Sequence, residues 1–388
     1  MERGGRVPHF LFAMWMAGGN VVFYEYLKSR ISLRPEILSS FHPVEMFPTD
    51  LIARIPPISK IGALKNSAVA RKRFLALEKK AGVPFDAAYF FQHTYITSLV
   101  GFRRRVPYIL AMDGVPLWYA KHKLWYTHPY FDPDSVMSKI KHRITRSVYA
   151  QAYHLLPVST GVRESLIEDY GIPEKRVSVL PHSVDAVLWK FPERVAEVQA
   201  RQAKRLNVLF IGADYERKGG DLLTAVARRP EFRDVDFHLV TKDFPGEPGK
   251  NIFIHTNLPP VSKALMDLFR AADLFVVPTR QDTALISALE AMAMGLPVIS
   301  TPVGGITDII VEGSTGYFVP TDDTDALADR IRKLCGSREL RLEMGLKGRQ
   351  RAETVFNVDI HVEVILNLLH RAAKRLPHVA QVPILPTA

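Results

Sequence analysis

The chain is 388 residues long, 47% hydrophobic and 23% charged, and carries a formal net charge of +11. That length exceeds an ordinary single core and suits two domains of common size, while the composition, without repeats or low-complexity tracts, excludes a disordered or fibrous chain. One cysteine, Cys335, excludes an internal disulfide and fits a reducing compartment, where it reads as a small apolar filler.

The charge is one-sided. Residues 1–190 hold 26 Lys and Arg against 15 Asp and Glu, whereas residues 191–388 hold 25 of each. A basic first half suggests an anionic partner such as nucleic acid, a membrane surface or a phosphorylated substrate. No RNA- or DNA-binding motif occurs and aromatic residues are not interleaved with the basic runs, so no nucleic-acid partner is expected. The apolar segment from Val7 to Tyr24 could pass for a membrane span. Pro8, His9, Gly18, Gly19 and Asn20 interrupt it, leaving about ten apolar residues where a spanning helix needs about 20. It reads better as a strand from His9 to Trp15, a glycine turn and a helix from Val21 to Ser29. A cytoplasmic protein is expected, peripheral on the inner face of the cell membrane where its basic half docks.

A strand near Glu36 to His42 follows, then a Pro-rich polar passage and a basic helix from Ser67 to Lys80. Ala87 to Phe91 reads as a strand leading to His93 in a loop, and Val106 to Met112 as a strand ending on Asp113-Gly114. Met137 to Ala150 is amphipathic, with Ile140, Ile144 and Val148 recurring every fourth residue. An ordinary surface helix accounts for that pattern. Lys139, Arg143 and Arg146, taken with Arg71, Lys72, Arg73, Lys79, Lys80, Arg103, Arg104 and Arg105, support docking on anionic lipid instead. His154 to Asp185 reads as strand, Ser159 loop, helix, Gly171-Ile-Pro turn and strand. Phe191 to Arg205 is polar and aperiodic and is expected to be a linker before a second α/β series opening with Leu206 to Ile211. Such alternation implies parallel sheets with helices on both faces. The expected organisation is a doubly wound first domain over 1–190, a second over 204–355, and an amphipathic helix over 357–376 that packs across the junction and returns to the first.

In the second series the strand ending at Gly212 leads through Arg217-Lys218-Gly219-Gly220 into a helix from Leu222 to Arg229. Helix-terminal amides, glycines that admit close approach and two cations suit a diphosphate. Asp273 to Gly305 then reads as a strand (Leu274 to Val277), a loop holding Asp282, a helix holding Glu290, a stop at Gly295, a strand (Pro297 to Ser300) and a Gly304-Gly305 turn. Polar groups at the carboxyl ends of parallel strands lie where such sheets bind ligands. Asp282 could equally be an ordinary N-cap. Glu290 is odder, because Ile286, Ser287, Ala293 and Met294, its neighbours along the helix face, offer no charge partner. Unless it faces solvent, its carboxylate needs donors from elsewhere, and ligand hydroxyls supply them. The combination points to a nucleotide diphosphate, with Glu290 on ribose hydroxyls, Arg217 and Lys218 on phosphates and Asp282 on a sugar.

These residues resemble the retaining GT-B glycosyltransferases of family 4. That family has a Glu, seven residues and a second Glu before an Ala-Met-Ala-x-Gly-x-Pro-Val-Ile run and a Gly-Gly. Here stand Asp282, seven residues, Glu290, AMAMGLPVIS and Gly304-Gly305, with Gly316 in a similar Gly-Tyr-Phe-Val-Pro segment. Lys218-Gly219 resembles the family's phosphate-binding Lys-Gly, Ser159 its Val-Ser loop and Val184-Asp185 the end of its Asn-Gly-Val-Asp. The matches run in order from residue 155 to 335; the first 150 residues match only through Gly18-Gly19 and His93. The resemblance implies two Rossmann-like domains facing across a cleft and hexosyl transfer with retention, in polysaccharide or glycolipid synthesis. The donor would be a nucleotide-diphosphate sugar and the acceptor a saccharide or a polyprenyl-linked lipid, with no metal and no further cofactor. It places Lys218, Arg217, Asp282 and Glu290 in catalysis and Gly212, Gly219, Thr283, Ala284 and Leu285 around the donor, with Gly18, Gly19 and His93 as looser matches. Asp282 replaces a Glu, Thr283 and Leu285 replace glycines, and His182-Ser183 replaces Asn-Gly. Asp308 replaces a Glu, and Met112-Asp113 stands where a His is common. Ala213 stands where the family has a phosphate-binding Arg, so either Arg217 takes that role or the site has one cation fewer. Asp-x-Asp occurs at Asp132, Asp234 and Asp323, a scatter that reads as background. The departures motivate one alternative, a catalytically inactive subunit of the same fold that binds nucleotide or a partner.

Overall fold

The computed structural model describes residues 6–16, 19–45, 62–122, 136–189 and 205–378. It divides into two units, one of residues 1–181 with 358–388 and one of residues 182–357. Unit 1 is built on β1 (His9–Trp15), β2 (Leu38–Val44), β3 (Ala87–Phe91), β4 (Tyr108–Met112) and β5 (His154–Pro157), paired in parallel in the order β2-β1-β3-β4-β5. The central strands are continuous apolar runs because helices cover both faces of the sheet. α1 (Asn20–Ile31) follows β1; α2 (Gly62–Ala81), α3 (Val100–Arg105), α4 (Pro116–Lys121), α5 (Val136–Gln151) and α6 (Thr160–Glu168) complete this part. Phe74 of α2, Val148 and Tyr149 of α5 and Val162 and Leu166 of α6 share one core with Leu11, Phe90, Leu110 and Leu155 of the strands.

Unit 2 contains β6 (Leu206–Ile211), β7 (Val235–Val240), β8 (Ile252–His255), β9 (Leu274–Val277), β10 (Val298–Ser300) and β11 (Gly316–Phe318) in the order β11-β10-β9-β6-β7-β8. Its helices are α7 (Gly220–Ala227), α8 (Lys263–Ala271), α9 (Ile286–Ala293), α10 (Ile306–Ile309), α11 (Thr324–Gly336) and α12 (Arg338–Thr354). The strand order reverses direction between β6 and β9, which makes their carboxyl ends the switch point of this sheet. The last helix, α13 (Val358–Ala373), belongs to unit 1, where it packs on α1, β3 and β4. Arg30 of α1 donates to Asp359 at 2.9 Å, and Phe10 meets His370 edge-on.

Several expectations shift. The basic helix begins at Gly62 rather than Ser67, and the second strand starts at Leu38, where it pairs with His9. After the Gly171 turn no strand forms; a 3-10 turn at Glu174–Arg176 leads to a single bridge between Val177 and Leu155. The division falls at Pro181 rather than at residue 190, because Val184 pairs with Asn357 and Trp189 packs edge-on against Phe269 of unit 2. The expected linker lies almost wholly outside the described residues, as do Gly18 and Asp132. No described helix is long and apolar enough to cross a membrane.

α9 ends in a Schellman closure, Leu296 N–H donating to the Ala291 carbonyl and Gly295 N–H to that of Met292, with Gly295 at φ 70°. α12 crosses this end so closely that a Cβ on Gly345 would overlap the Gly295 carbonyl oxygen, whereas one on Gly348 would touch Met292 at ordinary contact distance, 3.4 Å. Gly345→Ala is therefore expected to destabilise the protein by about 1–3 kcal/mol. Gly348→Ala should be neutral or stabilising by up to ~1 kcal/mol through helix propensity. Chemical denaturation of the two variants checks the pair.

Candidate functional site

The site of unit 2 forms from the loops after β6, β9 and β10, which the topology brings side by side. Gly219, at φ 76°, precedes α7 so close to the next loop that a Cβ would overlap the Pro278 carbonyl oxygen. Gly304, at φ 59°, likewise presses on the Asp282 carbonyl, and the Gly305 N–H donates to the Thr283 carbonyl at 3.0 Å. Only glycine permits both approaches. Gly212 has the same need, since a Cβ there would run into Phe210 and the Lys218 side chain.

That geometry brings Lys218 and Asp282 into a salt bridge between side chains only 14% and 9% exposed. Asp282 also accepts the Thr283 N–H at 3.0 Å. Arg217 is drawn into the scaffold, its Nε donating to Asp214 at 2.9 Å and a terminal nitrogen to the Gln281 carbonyl at 2.8 Å. Arg280, which the sequence did not single out, binds Asp221 through two nitrogens at 2.7 and 2.8 Å and Asp322 at 2.6 Å. These hydrogen bonds raise its pKa, Asp221 first. Arg280 also donates to the Glu216 carbonyl, and its own N–H binds the Arg217 carbonyl at 2.9 Å. It is a strap between the two loops; its only sequence signal is an Arg between a strand end and Asp282. Ala213 is exposed and offers no cation.

Thr283 and Leu285 are buried and Ala284 is partly so, forming the approach to α9. Glu290, on the second turn of α9, is 6% exposed. Among the described residues its carboxylate has no hydrogen-bond or ion-pair partner, and burial alone pushes its pKa up to about 8. A solvated face is thereby excluded. Within the same unit Asp185 accepts the Val187 and Leu188 N–H groups at 3.2 and 3.0 Å, and the Ser183 hydroxyl is buried with no hydrogen-bond partner.

In unit 1 the switch point lies between β1 and β3. Gly19 precedes α1 in ordinary helical geometry, φ −64°. His93 follows β3, but its ring turns inward, Nδ1 lying 3.2 Å from the Tyr149 hydroxyl, and burial lowers its pKa to about 4. The residue before it, unflagged by the sequence, is the one at the strand mouth. Gln92 is left-handed, φ 77°, and its side-chain amide donates to Asp113, which also accepts from the Tyr119 hydroxyl at 2.8 Å. Burial raises the Asp113 pKa. Ser159 caps α6, accepting from Val162. Asp234 pairs with Arg205 and Asp323 caps α11, and no group of three or more His, Cys, Asp or Glu that could hold a metal occurs among the described residues.

Two parallel α/β units, the second with Lys218, Asp282 and a glycine-cradled helix start at its switch point, are the architecture of the GT-B fold. A family model described as glycosyl transferases group 1 matches residues 205–337, and one described as glycosyltransferase family 4 matches residues 21–187. The chain belongs to this family of glycosyltransferases. It is 30% identical over 223 residues to an MMP alpha-(1->4)-mannosyltransferase of Mycolicibacterium hassiacum, covering 55% of this chain and 52% of that one. It is 29% identical over 304 residues to a D-inositol 3-phosphate glycosyltransferase of Paenarthrobacter aurescens, covering 70% and 69%. The match thus spans about half the length of the first relative. The fold superposes on sucrose-phosphate synthase from Thermosynechococcus elongatus with a TM-score of 0.71 at 16% identity, over 95% of this chain and 99% of that one. For Anabaena HepE in complex with UDP and glucose the TM-score is 0.66 at 14% identity, over 94% and 99%.

Glu290 keeps its proton in the folded chain up to about pH 8 but releases it near 4.5 when unfolded. Its contribution to stability is therefore fully present below about pH 4.5 and is lost as the pH rises through about 8. Glu290→Gln, which keeps the neutral shape, is expected to flatten the fall of Tm between those two pH values. Scanning calorimetry across the range checks this, and an unchanged slope would show that Glu290 is not the group responsible.

Proposed function

We propose that the chain transfers a hexosyl group, with retention, from a nucleotide-diphosphate sugar held by unit 2 to a saccharide or polyprenyl-linked lipid acceptor. The setting is the synthesis of cell-surface polysaccharide or glycolipid, in the cytoplasm or at the inner face of the cell membrane. The observation that carries the donor is Glu290, a carboxyl enclosed without a protein partner on the helix that begins beside Lys218 and Asp282. Ribose hydroxyls are the partners it lacks. The names of the relatives, a mannosyltransferase and an inositol-phosphate glycosyltransferase, and the UDP and glucose bound by HepE support the same reading.

The diphosphate sits on the α7 amides that Gly219 leaves accessible, with Lys218 swinging from Asp282 to a phosphate oxygen. Breaking the bond between the anomeric carbon and the diphosphate leaves the electron pair on the leaving oxygen. The acceptor hydroxyl forms its bond on the same face, and its proton ends on the diphosphate. Lys218, Arg217 and the helix amides meet the charge that develops, without a metal or a further cofactor. Asp282, released from Lys218, turns to hydroxyls of the sugar. Thr283, Ala284 and Leu285 border that space, and Gly18, Gly19 and His93 belong to the unit that takes the acceptor.

A thermal-shift panel of UDP, GDP, ADP and their sugar conjugates is expected to give one stabilised set; no shift with any of them would remove the nucleotide-sugar reading. Lys218→Ala should lower kcat about 100-fold or more, while Glu290→Ala should mainly raise the donor KM. Product formation unchanged by both variants would identify an inactive subunit, and epimerised donor in the absence of acceptor would rule out transfer.

A further inference from the structure

α5 turns its apolar residues the wrong way for a helix that merely covers a sheet. Val136, Ile140 and Ile144 are 75%, 44% and 44% exposed, whereas Ser138 and Thr145, on the opposite side, are 3% and 8% exposed. Among its described side chains, the large apolar groups that the helix buries, Val148 and Tyr149, lie near its end. Residues four apart on a helix lie one above the other, so the three exposed residues form a single stripe. Lys139, Lys141, Arg143 and Arg146 are exposed around it, and the helix contains no Asp or Glu.

A groove of about 260 Å³ runs along the flank of this stripe, lined by Arg143, Arg146, Ser147, Tyr170, Pro173 and Arg176 among others, with no acidic side chain. The partners that orient its guanidiniums are neutral. Arg146 donates to the Tyr170 carbonyl at 2.9 Å, and Arg176 to the carbonyls of Ala150, at 2.9 Å, and Ala152. Among the described residues the buried Arg176 Nε has no hydrogen-bond partner. Their positive charge is therefore concentrated and unneutralised, which favours an anion. The same layer of unit 1 adds Arg71, Lys72, Arg73, Lys79, Lys80 and Arg104, all exposed. Arg103 and Arg105 drop out of this set, since they bind Gln151 and Glu78 respectively.

We infer that α5 docks unit 1 on an anionic phospholipid membrane, the stripe of Val136, Ile140 and Ile144 lying at the headgroup–acyl boundary and the Arg143–Arg146–Arg176 groove holding a lipid headgroup phosphate. Aliphatic side chains beside cations are the combination an anionic bilayer surface matches. A soluble phosphate would need the groove alone. A nucleic acid would need exposed rings to stack on, and the ring in the groove, Tyr170, is already stacked on His142. The surface uses none of the donor-site residues and stands independently of the function proposed above.

Co-sedimentation of the full chain with phosphatidylcholine vesicles, with and without phosphatidylglycerol, tests the inference. Binding is expected only to the mixed vesicles and should weaken with salt. The surface variants Ile140→Ser/Ile144→Ser and Arg143→Glu should each reduce it about tenfold or more, with Tm and nucleotide-induced thermal shifts unchanged. Equal binding to pure phosphatidylcholine, or full binding by the Ile140→Ser/Ile144→Ser variant, would overturn it. Loss of the nucleotide shift with vesicle binding intact would count against the donor site alone.

Discussion

The organising constraint of unit 2 is the approach of two backbones at its switch point. The loop after β9 is approached from both sides, by the β6 loop at Gly219 and by the β10 loop at Gly304, and both approaches need a residue without a Cβ that accepts left-handed geometry. Closure sets Lys218 against Asp282 in surroundings where both side chains are largely shielded. A shielded pair of this kind tolerates loss of either partner poorly, since the other is left as an uncompensated charge. The two charges therefore balance each other at this point. Each side chain of the pair thus holds the other in place at the mouth of the two strands. The Asp that stands in place of the family's Glu is the partner of Lys218.

Glu290 follows from the same enclosure. α9 is clamped from outside by α12 at Gly345 and Gly348, and the apolar packing this gives desolvates the one carboxyl on the helix. Among the described residues no cation compensates it. A fold selected for stability alone gains nothing from such a group. Its raised pKa and its lack of a partner among the described residues have one cause, burial, which sets Glu290 apart from the paired Asp282.

Much of this was legible in the sequence where local physics decides. The strands at His9–Trp15, Ala87–Phe91, Leu206–Ile211 and Leu274–Val277 are continuous apolar runs between turn residues, and the structure has the same limits. The Glu290 anomaly was visible because helix neighbours are fixed by spacing. Contacts between distant residues were not. Lys218 meets Asp282 across 64 positions and Arg280 meets Asp221 across 59, and no periodicity encodes either. The start of unit 2 was missed for the same reason, since Val184 is placed by its pairing with Asn357. α5 is a case that the sequence left open between an ordinary surface helix and a docking face. Its period is that of a buried face, yet Ile140 and Ile144 point outward, because periodicity gives the width of a stripe and not the side on which the sheet lies.

Unit 1 repeats the logic of unit 2 with different chemistry. At its own switch point Gln92 holds a left-handed backbone that costs energy for a residue with a side chain, and it is kept there by the amide's bond to Asp113. Asp113 in turn is fixed by Tyr119, whose ring packs so tightly on Gly114 that no Cβ fits there. Strain at a strand mouth persists only where its surroundings over-determine it, and here three elements do so. The family's common His is absent at this point, where Met112 ends β4, and His93 has turned into the core. A polar, uncharged amide braced by a carboxyl occupies this strand mouth. The departure from the family pattern is thus a replacement built into the packing and not a gap in it.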